Sequence, residues 1–294
     1  MKSANCELIE NFVDYIENSL KSNISLDELS KQLCLSKYHL HRLLKSLTGT
    51  PLMAYVRARK LTSSLNELLE TDLNIIDIAN EYCFDYEQSY LRAFKRQFGI
   101  SPAAYRKEKC ELSVVNKLDT NMLVDVSDSL LIKPRYILRP QFHLLGVPTF
   151  IVHQENEEIF TANKSGRLFY HHDRMKIKEC VINEHIYYGL CIYGEDYTYG
   201  NFYMPSVEVK YFVENDDYFT CKTLPKRMYA VFRYIGFHSP DELNISCMRE
   251  VYNYIGEVWR TKTNNIQSAG YHFEYVDLKR CSNTYCEADI YIPV

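Results

Sequence analysis

The chain has 294 residues, 46% of them apolar, and a net charge near −4. That is long enough for two domains with proper cores and too apolar for a disordered chain. No apolar run approaches the ~20 residues of a membrane-spanning helix, and the opening MKSANCELIENF places acids where a secretory leader needs a basic and then an apolar stretch. A soluble, cytoplasmic protein with no membrane partner is expected. The ten cysteines include no CxxC pair, and Cys281 and Cys286 have no second pair at zinc-ligand spacing. They read as reduced packing residues, with no metal and no cofactor.

In chain order, residues 5–20 predict an amphipathic helix with Leu8, Ile9, Phe12, Val13, Ile16 and Leu20 on one face. Ser25 and Glu28 form a capping-box start for a helix over 26–33. Cys34 and Leu35 read as a turn and Ser36 as the N-cap of the next helix, KYHLHRLLKSLTG. There Leu40, Leu43, Leu44 and Leu47 make the apolar stripe, with Lys37, Tyr38, His41, Arg42 and Lys45 mostly outside it. A longer helical pattern, residues 52–70, carries Leu52, Tyr55, Leu61, Leu65 and Leu68. From Ile75 to Arg106 a short helix ends near Tyr82, a tight turn follows at Cys83 and Phe84, and a second helix starts at Asp85. That helix carries Gln88, Arg92, Lys95 and Arg96 in front of Phe94 and Phe98. Helix, turn and basic helix is the arrangement that lays one helix in a DNA major groove.

The arrangement occurs twice. Shifted by 49 residues, Leu26, Leu29, Leu33, Cys34, Leu35 and Ser36 fall on Ile75, Ile78, Tyr82, Cys83, Phe84 and Asp85. With one further residue of offset, Arg42, Leu44, Lys45 and Gly49 fall on Arg92, Phe94, Lys95 and Gly99. The windows 29–66 and 88–107 hold no acid, while Lys31, Lys37, Arg42, Lys45, Arg57, Arg59 and Lys60 lie in the first and Arg92, Lys95, Arg96, Arg106 and Lys107 in the second. Two such windows are an electrostatic footprint for phosphates. A connecting helix of about twenty residues spans ~30 Å, close to the ~34 Å between successive major-groove faces on one side of B-DNA.

Residues 5–108 resemble the DNA-binding domain of the AraC/XylS family of transcription regulators. The resemblance is carried by Ile78, Ala79, Phe84, Phe94, Lys95, Phe98, Gly99, Pro102, Tyr105 and Arg106. It implies base-reading positions at Tyr38, His41 and Arg42 in the first reading helix and at Glu87, Gln88 and Arg92 in the second. Arg suits guanine, Gln adenine, and Glu the cytosine amino group. Ser36, Lys37, Lys45, Lys95 and Arg96 are placed for the backbone, which sets register without reading sequence. Cys83 stands where the family usually has Gly, and a positive φ there costs on the order of 1–2 kcal/mol.

After a polar stretch, 110–132, expected as a linker, the pattern turns to strands at Tyr136–Leu138, Phe142–Val152, Ile186–Tyr193, Ser206–Glu214, Arg227–Phe237, Gly270–Leu278 and Ala288–Val294. Helical stretches interrupt them near 155–172 and 240–260, so strand–helix–strand–strand occurs twice, about 86 residues apart. An α+β domain over 133–294 with a groove between its halves is expected. FHLLGV (Phe142–Val147), YMPSVEV (Tyr203–Val209), YAVFRYIG (Tyr229–Gly236), FEY (Phe273–Tyr275) and DIYIPV (Asp289–Val294) resemble the GyrI-like effector-binding domain. That resemblance implies a site for bulky, often cationic, aromatic compounds centred on Glu274. The domain's many aromatic side chains offer Tyr193, Tyr203, Phe273 and Trp259 as candidate walls, Trp259 being the one whose place on its helix's apolar stripe also suits core packing. Strand alternation puts His272, Glu274 and Val276 on one face and Phe273 and Tyr275 on the other.

The expectation is a multidomain regulator: an all-α double helix-turn-helix domain over 1–109, then the α+β effector domain. Its partners are a double-stranded DNA operator and a small lipophilic or cationic effector. RNA polymerase is a further partner such a regulator admits, and the chain acts as monomer or dimer. Two other readings stay open: a protein-interaction module after the DNA-binding domain, or a small-molecule hydrolase. His171, His172, Asp173, Cys191 and Glu274 form no recognisable catalytic set, so no enzyme is expected.

Overall fold

A computed structural model describes residues 4–33, 35–126, 129–177, 180–194, 198–263 and 270–294, in two compact units, Cys6–Asn121 and Met122–Val294. Cys34 lies outside the described residues.

The first unit is all-helical: α1 (Ala4–Asn18), α2 (Leu26–Gln32), α3 (Lys37–Thr48), α4 (Leu52–Glu70), α5 (Ile75–Glu81), α6 (Glu87–Phe98) and α7 (Pro102–Glu108). The Ser25–Glu28 capping box forms as expected, each side chain accepting from the other's backbone N–H. Gly49 and Gly99 close α3 and α6 in the left-handed conformation, at φ 73° and 76°. α4 is the central rod, with Leu52, Val56, Leu61 and Leu68 buried. Against it lie Phe84, Tyr90, Phe94 and Phe98, an edge-to-face aromatic run, and the Tyr90 hydroxyl meets Ser64 Oγ at 2.9 Å.

Two features mark the second turn. Cys83 takes the glycine conformation, φ 57°, and its thiol donates to the Lys21 carbonyl at 3.4 Å. The helix α6 starts two residues later than expected, at Glu87 with Tyr86 as N-cap. The extra residue of the second copy therefore lies between the turn and the helix, where Asp85 and Tyr86 stand against the single Ser36.

The stretch 110–132 is not a uniform linker. Val115 N donates to Thr62 Oγ1, Leu118 N to the Tyr55 hydroxyl, and Lys117 pairs with Asp14 at 2.6 Å, so residues up to about 121 belong to the helical unit. Strands β1 (Leu123–Val126) and β2 (Ser129–Arg139) then begin the second unit. The reason is apolar burial: Leu130 and Leu131 are fully buried.

The second unit is an antiparallel sheet of β1, β2, β3 (Phe142–Gly146), β4 (Thr149–Val152), β5 (Ile186–Ile192), β6 (Gly200–Val209), β7 (Thr220–Leu224), β8 (Arg227–Gly236), β9 (Tyr271–Asp277) and β10 (Cys286–Pro293), in the order β1-β2-β8-β10-β9-β5-β6-β3-β7, with β4 pairing β6. β3, β5 and β6 repeat as β8, β9 and β10, and the halves join where β5 pairs β9, Gly189 opposite Glu274. The first helical stretch is broken in two, α8 (His153–Ile159) and α9 (Thr161–His171), by Phe160 at φ 55°. The second is α10 (Ile245–Asn253), a π-helical turn over Tyr254–Trp259, and α11 (Arg260–Thr263). One sheet face carries the helices, over clusters around Phe232, Met248, Ile255 and Trp259 and around Leu145, Phe169 and Val207. The other face holds Phe142, Tyr188, Tyr229, Phe273 and Tyr291, with the Arg139 guanidinium 3.7 Å from the Phe142 ring.

Candidate DNA-reading surface and ligand cavity

On α3, burial of Leu40, Leu43 and Leu44 turns the opposite face outward. Tyr38 is exposed and the Arg42 guanidinium stacks on its ring at 4.3 Å, which pre-orients both groups. His41 is half-buried, Lys45 exposed, and Lys37 pairs with Asp27. The Ser36 hydroxyl accepts from His39 N at 3.2 Å, so it serves first as the helix cap. On α6, Gln88, Arg92, Lys95 and Arg96 are exposed and Glu87 half-buried in the first turn. Tyr86, which pattern reading passed over, is 72% exposed at the start of that helix.

The basic windows divide in two. Arg59 is fixed to Glu17 by two bonds of 2.7 and 2.8 Å. Arg106 donates to the carbonyls of Leu68 and Leu73. Lys60 is buried and donates to the carbonyls of Ser22 and Tyr82, tying α4 to the second turn. These three hold the fold and do not face outward as phosphate contacts, contrary to the expectation from charge alone. Charge shows where cations are, and only the fold shows which ones are bound internally.

The second unit holds a cavity of about 620 Å³ on the helix side of the β5–β9 seam. Glu274 lies on its floor, and the Tyr252 hydroxyl donates to it at 2.5 Å. Burial raises the Glu274 carboxyl above its ordinary value, and the Tyr252 bond only partly offsets this. Tyr252 also meets His272 Nε2 at 3.2 Å, and His272 Nδ1 bonds the Tyr193 hydroxyl. Burial, helped by the Arg260 charge, lowers His272 to about 3, so it is neutral. Tyr203 bonds Tyr187 at 2.5 Å. Gly189 makes the floor: a Cβ there would lie 2.6 Å from the Tyr203 hydroxyl and 2.8 Å from Glu274 Oε2. The mouth carries Glu157 and Arg249, paired at 3.8 Å, with Arg260 beyond.

A helix-turn-helix domain family matches residues 29–108, and the integron-associated effector-binding protein family matches residues 137–294, more than half of the chain. The transcriptional activator AarP of Providencia stuartii is 38% identical over 99 residues, 34% of this chain and 73% of AarP. The chain belongs to the AraC family of transcription regulators. It carries a GyrI-like effector-binding domain at its C-terminus. The Right origin-binding protein of Escherichia coli K12 is 41% identical over 100 residues, 34% of this chain and 35% of that protein, so the likeness spans about a third of its length. A solved integron cassette protein of Vibrio cholerae is 17% identical, with a TM-score of 0.39, over 55% of this chain and 97% of that one.

In this AraC-family chain, three of the five expected ligand residues line the cavity: Glu274, Tyr193 and Tyr203. Phe273 and Trp259 do not. Phe273 points to the opposite face, stacked on Tyr291 at 4.6 Å, as strand alternation requires of a neighbour of Glu274. Trp259 is core, edge-on to Phe232 at 5.1 Å. Tyr252, His272, Met248, Arg249 and Arg260 were missed. Met248 and Tyr252 share the apolar stripe of α10, and only the fold separates its core positions from its cavity positions. His171 and His172 do not line the cavity, and Asp173 is taken by Lys176 and Tyr218. Among the described residues, no cluster of His, Cys, Asp and Glu could hold a metal ion, and no helix is long and apolar enough to cross a membrane.

Proposed function

We propose that this AraC-family regulator reads an operator spanning two successive major grooves, α3 in one and α6 in the next, and that a lipophilic or cationic small molecule in the Glu274 cavity controls that binding. The 19 residues of α4 support the first half: at ~1.5 Å per residue they span ~28 Å, near one turn of B-DNA. Tyr38, His41, Arg42, Glu87, Gln88 and Arg92 are the base readers in this reading. Lys37, Lys45, Lys95 and Arg96 hold phosphates.

The observation that carries the sensing half is Glu274 itself. It is a half-buried carboxyl whose one side-chain hydrogen bond among the described residues comes from a phenol, with tyrosine faces around an open cavity. Such a group is costly to ionise until a cation arrives, and aromatic walls stabilise a cation by ~0.5–2 kcal/mol each. A cavity of about 620 Å³ has the volume of a drug-sized ligand site, which favours sensing over a filled protein-interaction module. Binding is favoured over hydrolysis because burial pushes the Cys191 thiol well above its ordinary value, away from a nucleophilic thiolate. Titration with tetraphenylphosphonium tests the reading. Wild type binds and Glu274→Gln does not, with the fold intact by circular dichroism; unchanged affinity in the variant sinks it.

A further inference from the structure

Among the described residues, Arg260 is the cavity-wall arginine that pairs with no carboxylate. Arg249, across the mouth, has Glu157 at 3.8 Å. Among the described residues no acid pairs with Arg260 and no acceptor takes its guanidinium. It is half-buried directly after the π-helical turn, whose Ile255 and Gly256 also line the cavity. The widened turn sets where the helix resumes, and so where this side chain emerges.

A run of hydrogen bonds leads away from Glu274 along the cavity floor. Glu274 accepts from Tyr252, Tyr252 meets His272, and His272 meets Tyr193. Arg260 and Glu274 line the same cavity, and Tyr193 and His272 line it with them. The middle of the floor is neutral, because His272 carries no charge. The cavity is therefore bipolar: one lining carries both an anion-forming carboxyl and a guanidinium, together with uncharged polar and aromatic groups.

From this juxtaposition we infer that the effector is amphoteric, an aromatic cation that also carries a carboxylate, its cationic end at Glu274 and its carboxylate at Arg260. The inference rests on the reading of Glu274 as a cation site and adds a second pole to it. A ligand with a positive charge alone would cover the guanidinium and leave it unpaired in a drier environment, which is costly. A planar guanidinium takes a carboxylate through two parallel bonds, a geometry that an ester cannot match.

Two fluorescent probes separate these poles. Rhodamine 123 and rhodamine 110 share one xanthylium cation, and the first bears a methyl ester where the second bears a free carboxylate. Fluorescence polarisation with the full chain at neutral pH should show rhodamine 110 binding roughly fivefold or more tighter than rhodamine 123, a ratio discounted for the partial exposure of Arg260. Arg260→Gln should erase the preference and leave rhodamine 123 bound as well as before, Arg260→Lys should keep part of it, and Glu274→Gln should weaken both probes. Equal affinities in wild type, or an Arg260→Gln loss shared by both probes, overturns the second pole while leaving the cation site standing. Failure of both probes to bind wild type overturns the cation site and the inference together.

Discussion

Glu274 is kept in its cavity at a cost to the ligand-free protein. Its folded pKa is raised by burial, so its contribution to stability is fully present below the unfolded value, ~4.3, and is lost as pH rises through the folded value. Glu274→Gln should therefore stabilise the effector domain at neutral pH, an advantage that fades below about pH 4. Urea denaturation of both proteins across that range checks it, and a variant less stable than wild type at pH 7 would count against an uncompensated carboxyl. His272 works in the opposite sense. Lowered to about 3, it contributes stability that is present above ~6.5 and lost as pH falls toward the folded value. On the reading helices, Arg92 is exposed one turn beyond Gln88. Arg92→Ala should weaken operator binding by roughly 1–3 kcal/mol and affect random DNA much less. Equal loss on both would make Arg92 a phosphate contact.

At the scale of elements, the second helix-turn-helix is held by groups that charge counting assigned to DNA. Lys60 fastens the second turn, Arg59 fastens α4 to α1 through Glu17, and Arg106 fastens α7 to the end of α4. Lys95→Ala should lower the slope of log affinity against log salt by about 1, whereas Arg59→Ala should leave the slope alone and cost stability. A lowered slope in Arg59→Ala would return that residue to the DNA. Cys83 at φ 57° is a strain its one thiol bond only partly offsets, so Cys83→Gly should raise stability by up to about 1 kcal/mol in thermal unfolding. Much of this architecture was legible: the capping box, the two glycine caps and the duplicated pattern are local signals, set by chemistry within a few residues. The tertiary part was less so. Leu130 and Leu131 read as linker because a strand is defined by its neighbours, and one neighbour of β2, β8, lies about a hundred residues away. Phe273 is a candidate wall only by its aromatic ring, and strand alternation places it and Glu274 on opposite faces. Arg260 emerges into the cavity after a π-helical turn that no periodicity announces.

For the whole molecule, the proposed ligand control of DNA binding is a coupling free energy between two sites, and it is reciprocal: an effector that changes operator affinity has its own affinity changed by operator to the same degree. The effector therefore has to distinguish two states of the chain, because equal affinity for both would shift nothing. On the proposed reading, the duplicated helix-turn-helix reads DNA with two helices of one chain, so the operator is expected to be asymmetric, with two unlike blocks. Selection of bound sequences from a random DNA pool, with and without a lipophilic cation, measures both claims at once. Recovered sites should carry two distinct conserved blocks about one helical turn apart, and their enrichment should change with the cation in wild type but not in Glu274→Gln. A single conserved block, or enrichment that ignores the cation, would contradict the account.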